Sequence, residues 1–465
     1  MSTVLAILAA ALVVLGMCVC VFKPRYALVP VLMLFPIEQI LMGYIPELRW
    51  KYGGTVNIII GLIAVFGVGY RFFSGQRLVE GMNNRVFWLL MLLYLYIALS
   101  ALWSPSPDGA MYFIGQSWPY FCLFFLVTPL LVGRTEDFES VVVPFIFTGV
   151  MLMGLMLVNP NAKFINGRFA IDLGFVAGLG TVQSNPLAIA DAGAMLAIVS
   201  AVYRPNNVRP VLTLLRWSGI LLGLTLALLS GSRGQVLVGV AVIALLVPMV
   251  NKSRNVLRIL GTFAMIAVVV GFLYFVYSTF LSQTGQSRWG SSGSDDGLSV
   301  RADMAMTALG AYMTSPVYWL TGLGASAFNA FYTNRPEGFS YLYPHNILVE
   351  CLSEYGIPGV ALMVALGWLT IKNFRILVQT SGDDRSKRTA VLAFGGMALF
   401  QFLIALKQGS LLGMPPVFMF ALMAATVVRS EELVNGPVVL GQPREELYGE
   451  EEAAYAEEYG APAPE

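Results

Sequence analysis

Charge is what this sequence has least of. Only 12% of its 465 residues are Asp, Glu, Lys or Arg, against 57% hydrophobic residues and a mean hydropathy of +0.72. That balance excludes an ordinary soluble domain and points to a polytopic membrane protein. There is a single histidine, His345, so a histidine-based metal cluster within one chain is excluded. The four cysteines, Cys18, Cys20, Cys122 and Cys351, all stand in apolar stretches, which suggests neither a disulfide framework nor a zinc site. No Asp-x-Asp, Walker loop, Gly-x-Gly-x-x-Gly or His-Glu-x-x-His element occurs, so no standard nucleotide or divalent-metal site is offered and no cofactor is expected. The N-terminus lacks the basic region of a cleaved signal peptide, and Val4 to Phe22 reads as a retained helix.

What is present is a long series of apolar runs. A bilayer core of about 30 Å needs about 20 apolar residues in a helix. Thirteen such runs emerge, at 4–22, 26–43, 55–70, 86–103, 117–133, 141–158, 186–203, 211–230, 235–250, 259–280, 346–371, 390–406 and 411–428. The second and third are short enough to leave twelve as an alternative. The expected fold is therefore all-α, with about 12–13 transmembrane helices. Three regions follow: N-terminal transmembrane helices at 1–185, a transmembrane core with one long loop (281–344) at 186–429, and an acidic, low-complexity tail at 430–465, expected to be disordered.

Formal net charge is +1, but ten of the 27 acids lie after Arg429 with Arg444 as the only base there. Sorting the 28 Lys and Arg by alternate loops gives nineteen on one side, with Lys23, Arg71, Arg134, Arg204, Lys252, Lys372 and the tail, and nine on the other. The positive-inside rule puts the nineteen in the cytoplasm and the N-terminus outside. The long loop then faces outward, and loops of that length are uncommon without a function. The bases are scattered and form no stripe, so nucleic acid is a poor partner, whereas anionic membrane lipid suits them.

Candidate chemistry clusters on the outer side. His345, in Tyr343-Pro344-His345-Asn346-Ile347, stands where the long loop meets the next helix. In a first helical turn the dipole would disfavour its imidazolium and keep it a neutral base. The plainer reading is an interfacial histidine that only makes a hydrogen bond. Arg233 lies in Ser230-Gly231-Ser232-Arg233-Gly234, a tight outer hairpin whose guanidinium suits a phosphate or pyrophosphate. A snorkelling arginine on lipid headgroups is the bland alternative. Arg301 begins an amphipathic stretch running to Tyr318, and could equally be a solvated residue paired with Asp303. Arg168, in the Asn166-Gly167-Arg168 turn, and Lys407 add two weaker outer cations. Glu350 and Glu354, one turn apart after His345, could orient its ring or acceptor hydroxyls. The intramembrane acids Glu38 and Asp191 would be ion ligands in a transporter, but hydrogen bonding within the bundle is the favoured reading.

The ordered set made by the Ser230 to Gly234 hairpin, the loop with Arg301 and then Pro316 to Gly324, and Pro344-His345-Asn346 through Glu350 to Glu354-Tyr355-Gly356-Ile357-Pro358-Gly359 resembles the O-antigen ligase and O-antigen polymerase superfamily. The likeness runs from about Asn185 to Gly359. It implies a GT-C-like membrane glycosyltransferase of the bacterial inner membrane, working on the extracytoplasmic face without a metal. The implied donor is an undecaprenyl-pyrophosphate-linked glycan, and the acceptor is another glycan or lipid A core. In that family a hairpin arginine and a loop arginine hold the pyrophosphate and a histidine activates the acceptor, roles that carry over to Arg233, Arg301 and His345. A chain-length regulator protein is a further implied partner. The chain departs in its thirteenth span and outside N-terminus, where family ligases are expected to have twelve with both ends inside. Two other classes compete: a transporter, resting on Glu38 and Asp191, and a structural component of an export assembly with the acidic tail as its docking element.

Overall fold

The computed structural model describes residues 14, 18, 23–45, 48, 54–165, 167–176, 180–207, 209–250, 271, 274–276, 278–279, 292–332, 342–411 and 413–436. The expected spans at 4–22 and 259–280, most of the approach to 292, and the tail beyond Gly436 lie outside the described residues, apart from a few isolated positions.

Proline punctuates the helices. Pro107, Pro186, Pro210, Pro316 and Pro415 each open one, where a missing N–H is no loss and φ is already helical. The described helices are α1 (Leu28–Leu32), α2 (Leu34–Tyr44), α3 (Thr55–Phe73), α4 (Leu78–Met82), α5 (Arg85–Ser100), α6 (Pro107–Phe121) and α7 (Thr135–Leu157). They continue as α8 (Pro186–Val202), α9 (Pro210–Leu229), α10 (Arg233–Val250), α11 (Ser292–Tyr312), α12 (Pro316–Thr321), α13 (Phe328–Phe331), α14 (Ile347–Thr380), α15 (Arg385–Gln408) and α16 (Pro415–Asn435). The chain is an all-α polytopic membrane protein. Among the described residues eight helical stretches are long and apolar enough to cross a membrane, or nine if the segment Pro24–Leu32 and α2, bent by 68°, form one span. That bend sits at Met33, where Pro36 can give no amide to the preceding turn. It divides the run expected at 26–43. The runs expected at 186–203 and 411–428 appear as α8, of 17 residues, and α16, whose last turns carry Arg429, Glu431 and Glu432.

The helix expected at 141–158 begins earlier, at Thr135, because Glu136 and Asp137 complement the positive end of its dipole. Between α7 and α8 the chain forms a small antiparallel meander of β1 (Ala162–Ile165), β2 (Arg168–Val176) and β3 (Gly180–Gln183), which the hydropathy reading does not anticipate. In its first hairpin Ile165 stands opposite Arg168, and the Asn-Gly that the sequence has between them is a strong two-residue hairpin signal. Phe169, Ile171 and Leu173 tuck into the core.

α8 is the centre of the bundle, buried at every position from Ala192 to Val202. The long loop is not irregular where it is described: α11 buries Met304, Ala308 and Tyr312, one turn apart, against Phe328, Tyr332 and Leu342 or Leu323 and Ala327. The amphipathic stretch expected from Arg301 to Tyr318 thus breaks after Tyr312, and Ser315 caps α12 by accepting the Val317 amide.

The two ends of the bundle differ. At one end Asp137 meets Arg25 and Arg71, each at 3.3 Å, and Lys387 meets Glu136 at 2.6 Å. From Arg385, α15 runs 24 residues to Gln408, a rise of about 36 Å that carries the chain to the opposite end. The functional candidates gather there.

Candidate active site

Four segments distant in sequence converge at that second end. The Ser230-Gly231-Ser232 turn delivers Arg233 as the first residue of α10. Lys407, in the last turn of α15, lies over Gly234, so closely that a Cβ at that glycine would overlap the lysine side chain. Arg301, half-buried on α11, is within electrostatic reach of both Lys407 and His345. Arg301, His345 and Lys407 therefore share one site, and the Arg233 hairpin is joined to it through Gly234.

His345 is not in the first turn of its helix. α14 starts at Ile347, and Asn346 is its cap, with its side-chain oxygen accepting the Leu348 and Val349 amides at 3.0 and 3.1 Å. His345 precedes the cap with φ 56°, a left-handed backbone that a bulky L-residue rarely adopts. Such conformations concentrate where geometry is part of function. Burial, and then the nearby Arg301 charge, hold its pKa below the ordinary histidine value, while a hydrogen bond to the Gln408 backbone acts the other way. The expectation of a neutral ring has a cause other than the helix dipole. Tyr343 packs on the ring with centroids 4.3 Å apart, and Nδ1 is buried without a hydrogen-bond partner.

The two glutamates after His345, expected to orient its ring or acceptor hydroxyls, both accept backbone amides from other segments. Glu354 accepts the backbone amides of Ser326 and Phe328 at 2.9 and 3.2 Å and the Tyr355 hydroxyl at 3.2 Å. Two backbone bonds run alongside, from the Leu323 amide to the Ser353 carbonyl and from the Gly324 amide to the Glu354 carbonyl, each 2.9 Å. Glu354 is the clasp that docks the 322–328 segment on α14. Glu350, fully buried, accepts the Leu411 amide at 3.1 Å and keeps one oxygen without a hydrogen-bond partner. The clasp works because α14 is kinked at Gly356 (φ 65°, ψ −163°), whose missing side chain admits the Trp319 carbonyl and the Gly322 amide.

Arg168 opens strand β2 at the end of the hairpin turn expected there; its Nε is buried without a partner, and no contact joins it to the histidine cluster among the described residues. Glu38 accepts from Asn57 at 3.3 Å, as bundle hydrogen bonding would have it. Asp191, given the same reading, lies instead beside Gln235 and within electrostatic reach of Lys407, beneath the hairpin. With Tyr343 and Gln408 it lines a cavity of about 410 Å³ that reaches back to Phe35 and Gln39 on α2. Asp191, Gln235, Tyr343 and Gln408 are the site neighbours that the sequence does not single out as such. A buried helix gives a carboxylate no local mark of which lysine it will face.

The family model described as O-antigen ligase matches residues 218–364, from the middle of α9 through the hairpin, α10, α11 and the first half of α14. Over that segment the chain is similar to the O-antigen ligase family, and its long apolar helices make it a multi-pass membrane protein. The solved structure described as "Structural coordination of polymerization and crosslinking by a peptidoglycan synthase complex" contains a chain 19% identical to this one, with 74% of this chain and 97% of that chain covered and a TM-score of 0.39. A score of that size bears on neither fold nor function. No curated protein matches.

Proposed function

We propose that the protein is a glycosyltransferase that moves a glycan from an undecaprenyl-pyrophosphate-linked donor to a sugar hydroxyl. The bond broken is the one between the anomeric carbon and the pyrophosphate oxygen, and the bond formed joins that carbon to the acceptor oxygen. His345 takes the acceptor hydroxyl proton on its unpartnered Nδ1, the hydroxyl oxygen attacks the anomeric carbon, and undecaprenyl pyrophosphate leaves with the bonding pair. A single displacement inverts the anomeric configuration. Arg233 and Arg301 hold the charge that develops on the leaving group, with Lys407 as a third cation, which is the work a divalent ion does elsewhere. Asn346, Glu350 and Glu354 hold the frame that aims the histidine. In this reading the basic end, with Arg71, Arg134 and Arg204, faces the cytoplasm of a bacterial inner membrane, and the His345 end faces outward.

The observation that carries the proposal is the convergence of Arg301, Lys407 and His345 with the Arg233 hairpin at one end of the bundle. Polymerase is the preferred role over ligase, because chain extension is needed in more kinds of cell envelope. A transporter is not favoured, since Glu38 is bonded within the bundle. The test is product formation from a purified lipid-linked donor offered two acceptors, a second lipid-linked repeat unit or lipid A core, with and without a chelator. Product with either acceptor that persists in chelator supports the reading and tells polymerase from ligase. No product with either, or activity restored only by a divalent ion, sinks it.

A further inference from the structure

The end of the bundle opposite the histidine carries a second built feature. A cavity of about 840 Å³ opens between Pro24, the end of α3, the Gly75 to Leu78 turn, the start of α7 and the last turns of α16. Five bases line it: Lys23, Arg25, Arg71, Arg77 and Arg134. The two acids of its wall are already engaged. Asp137 takes Arg25 and Arg71 at 3.3 Å each, along with the Gly133 and Arg134 backbone amides at 2.9 and 3.2 Å. Glu136 is held by Lys387, which is not part of the wall, at 2.6 Å.

Arg71 is the fixed floor of the cavity, with 9% of its side chain exposed and hydrogen bonds to Gln76 and to the Leu131 carbonyl. Lys23, Arg77 and Arg134 are exposed around the mouth. Lys23 sits 5.7 Å from the Tyr26 ring centre, and Arg77 approaches Glu80 no closer than 3.8 Å, with both of those side chains largely in solvent. Positive charge therefore remains directed at the opening. Beside it, at the last turn of α3, Tyr70, Phe72 and Phe73 are exposed, and aromatic side chains are enriched at the level of lipid headgroups.

We propose that this cavity binds a phosphate group, supplied by the headgroup of an anionic phospholipid whose acyl chains lie along the exposed aromatic face of α3. Lys23, Arg77 and Arg134 contact the phosphate oxygens, and Arg71, locked by Asp137, Gln76 and Leu131, gives the site a rigid positive base. The site is independent of the glycan chemistry at the other end.

The experiment uses the full chain reconstituted in nanodiscs of phosphatidylcholine with or without phosphatidylglycerol of the same acyl chains. Retained lipid is read by native mass spectrometry. The wild type should retain phosphatidylglycerol in preference. Lys23→Gln/Arg77→Gln/Arg134→Gln should lower that preference by roughly tenfold or more, given the contribution of each base near an anionic surface, while its melting temperature in phosphatidylcholine stays the same. Should the triple variant fail to fold, Arg77→Gln alone, at a side chain 76% exposed, must show a partial loss. A parallel titration with inorganic phosphate, read by melting temperature, distinguishes the source: a shift in wild type alone, without phosphatidylglycerol retention, keeps the phosphate site and assigns it to a soluble anion. Equal lipid retention by wild type and variants with no phosphate shift overturns the proposal. So does a preference that appears only when the chain is cut after Gly436, which would give the cavity to the acidic tail.

Discussion

His345, the proposed base, has a left-handed backbone and a proton affinity lowered by burial and by Arg301. His345→Asn is the informative substitution, because Asn tolerates a positive φ while providing no base. Transfer should fall by about 10²–10⁴-fold with donor binding little changed, and His345→Ala should add a folding penalty to the same loss. A lowered pKa means that the neutral ring persists below the ordinary value of 6.5, so the acid limb of kcat/KM should lie under that pH. A bound pyrophosphate offsets the Arg301 charge, which raises the ring's proton affinity, so the acid limb of kcat should lie at higher pH than that of kcat/KM. Coincident limbs, or a limb that survives His345→Asn, would show that the histidine is not the base. For the cations, Arg301→Ala or Arg233→Ala should cost roughly 2.7–4 kcal/mol of transition-state stabilisation. Lysine should be nearly as poor if the guanidinium fork matters, and turnover from the purified donor checks both. His345 stands out in the sequence by being alone of its type. Asp191 stands out only as an intramembrane acid, since its relation to Lys407 exists only once α8, α10 and α15 have packed.

The element that sets the site is the kinked start of α14 with the 322–328 segment laid across it. Gly322→Ala or Gly356→Ala places a Cβ into backbone atoms of the other segment, at a positive φ in both cases. Overpacking and strain of this kind cost about 1–3 kcal/mol. Either variant should stay in the membrane yet lose glycan transfer, with faster proteolysis between 292 and 332; wild-type protection would refute the docking. Glu354→Ala strips two backbone amides of their acceptor, at about 1–3 kcal/mol for each buried group left unpaired, and should behave alike. The spacing of Glu354, Gly356 and Gly359 is visible in the sequence, but its purpose is not. A glutamate near a histidine reads as chemistry until its oxygens are found on Ser326 and Phe328. Helix positions were legible because apolar runs of about 20 residues have one use. The β1 to β3 meander was not, because strands of four residues leave too little pattern and the Asn-Gly signal stood among stronger helical ones.

At the scale of the molecule, the uneven distribution of Lys and Arg corresponds to two unlike ends, one knit by Asp137, Glu136 and their bases, the other holding the histidine. A cysteine at Gly293, in a chain without its four native cysteines, should react with an impermeant maleimide on cells whose outer membrane is permeabilised. One at Gly449 should react only after lysis. The reverse pattern would place the histidine on the cytoplasmic face and end the proposed chemistry. The ionic cluster is also a stability element: Asp137→Asn leaves Arg71 buried without its carboxylate, and a loss of about 3–5 kcal/mol is expected for breaking a buried pair, measurable as a lower melting temperature in detergent.

The clasp between Glu354 and the 322–328 segment also constrains how this protein can be recombined with similar chains. Arg301 and His345 lie on either side of it, on chain segments that are sutured backbone to backbone. A chimera whose crossover falls between Gly324 and Glu354 would bring together halves of two different sutures, and the arginine and the histidine would no longer share a common reference frame. Crossovers in the Thr314-Ser315 break and beyond Gly359 would move the whole joint as one piece, leaving only helix ends to be matched.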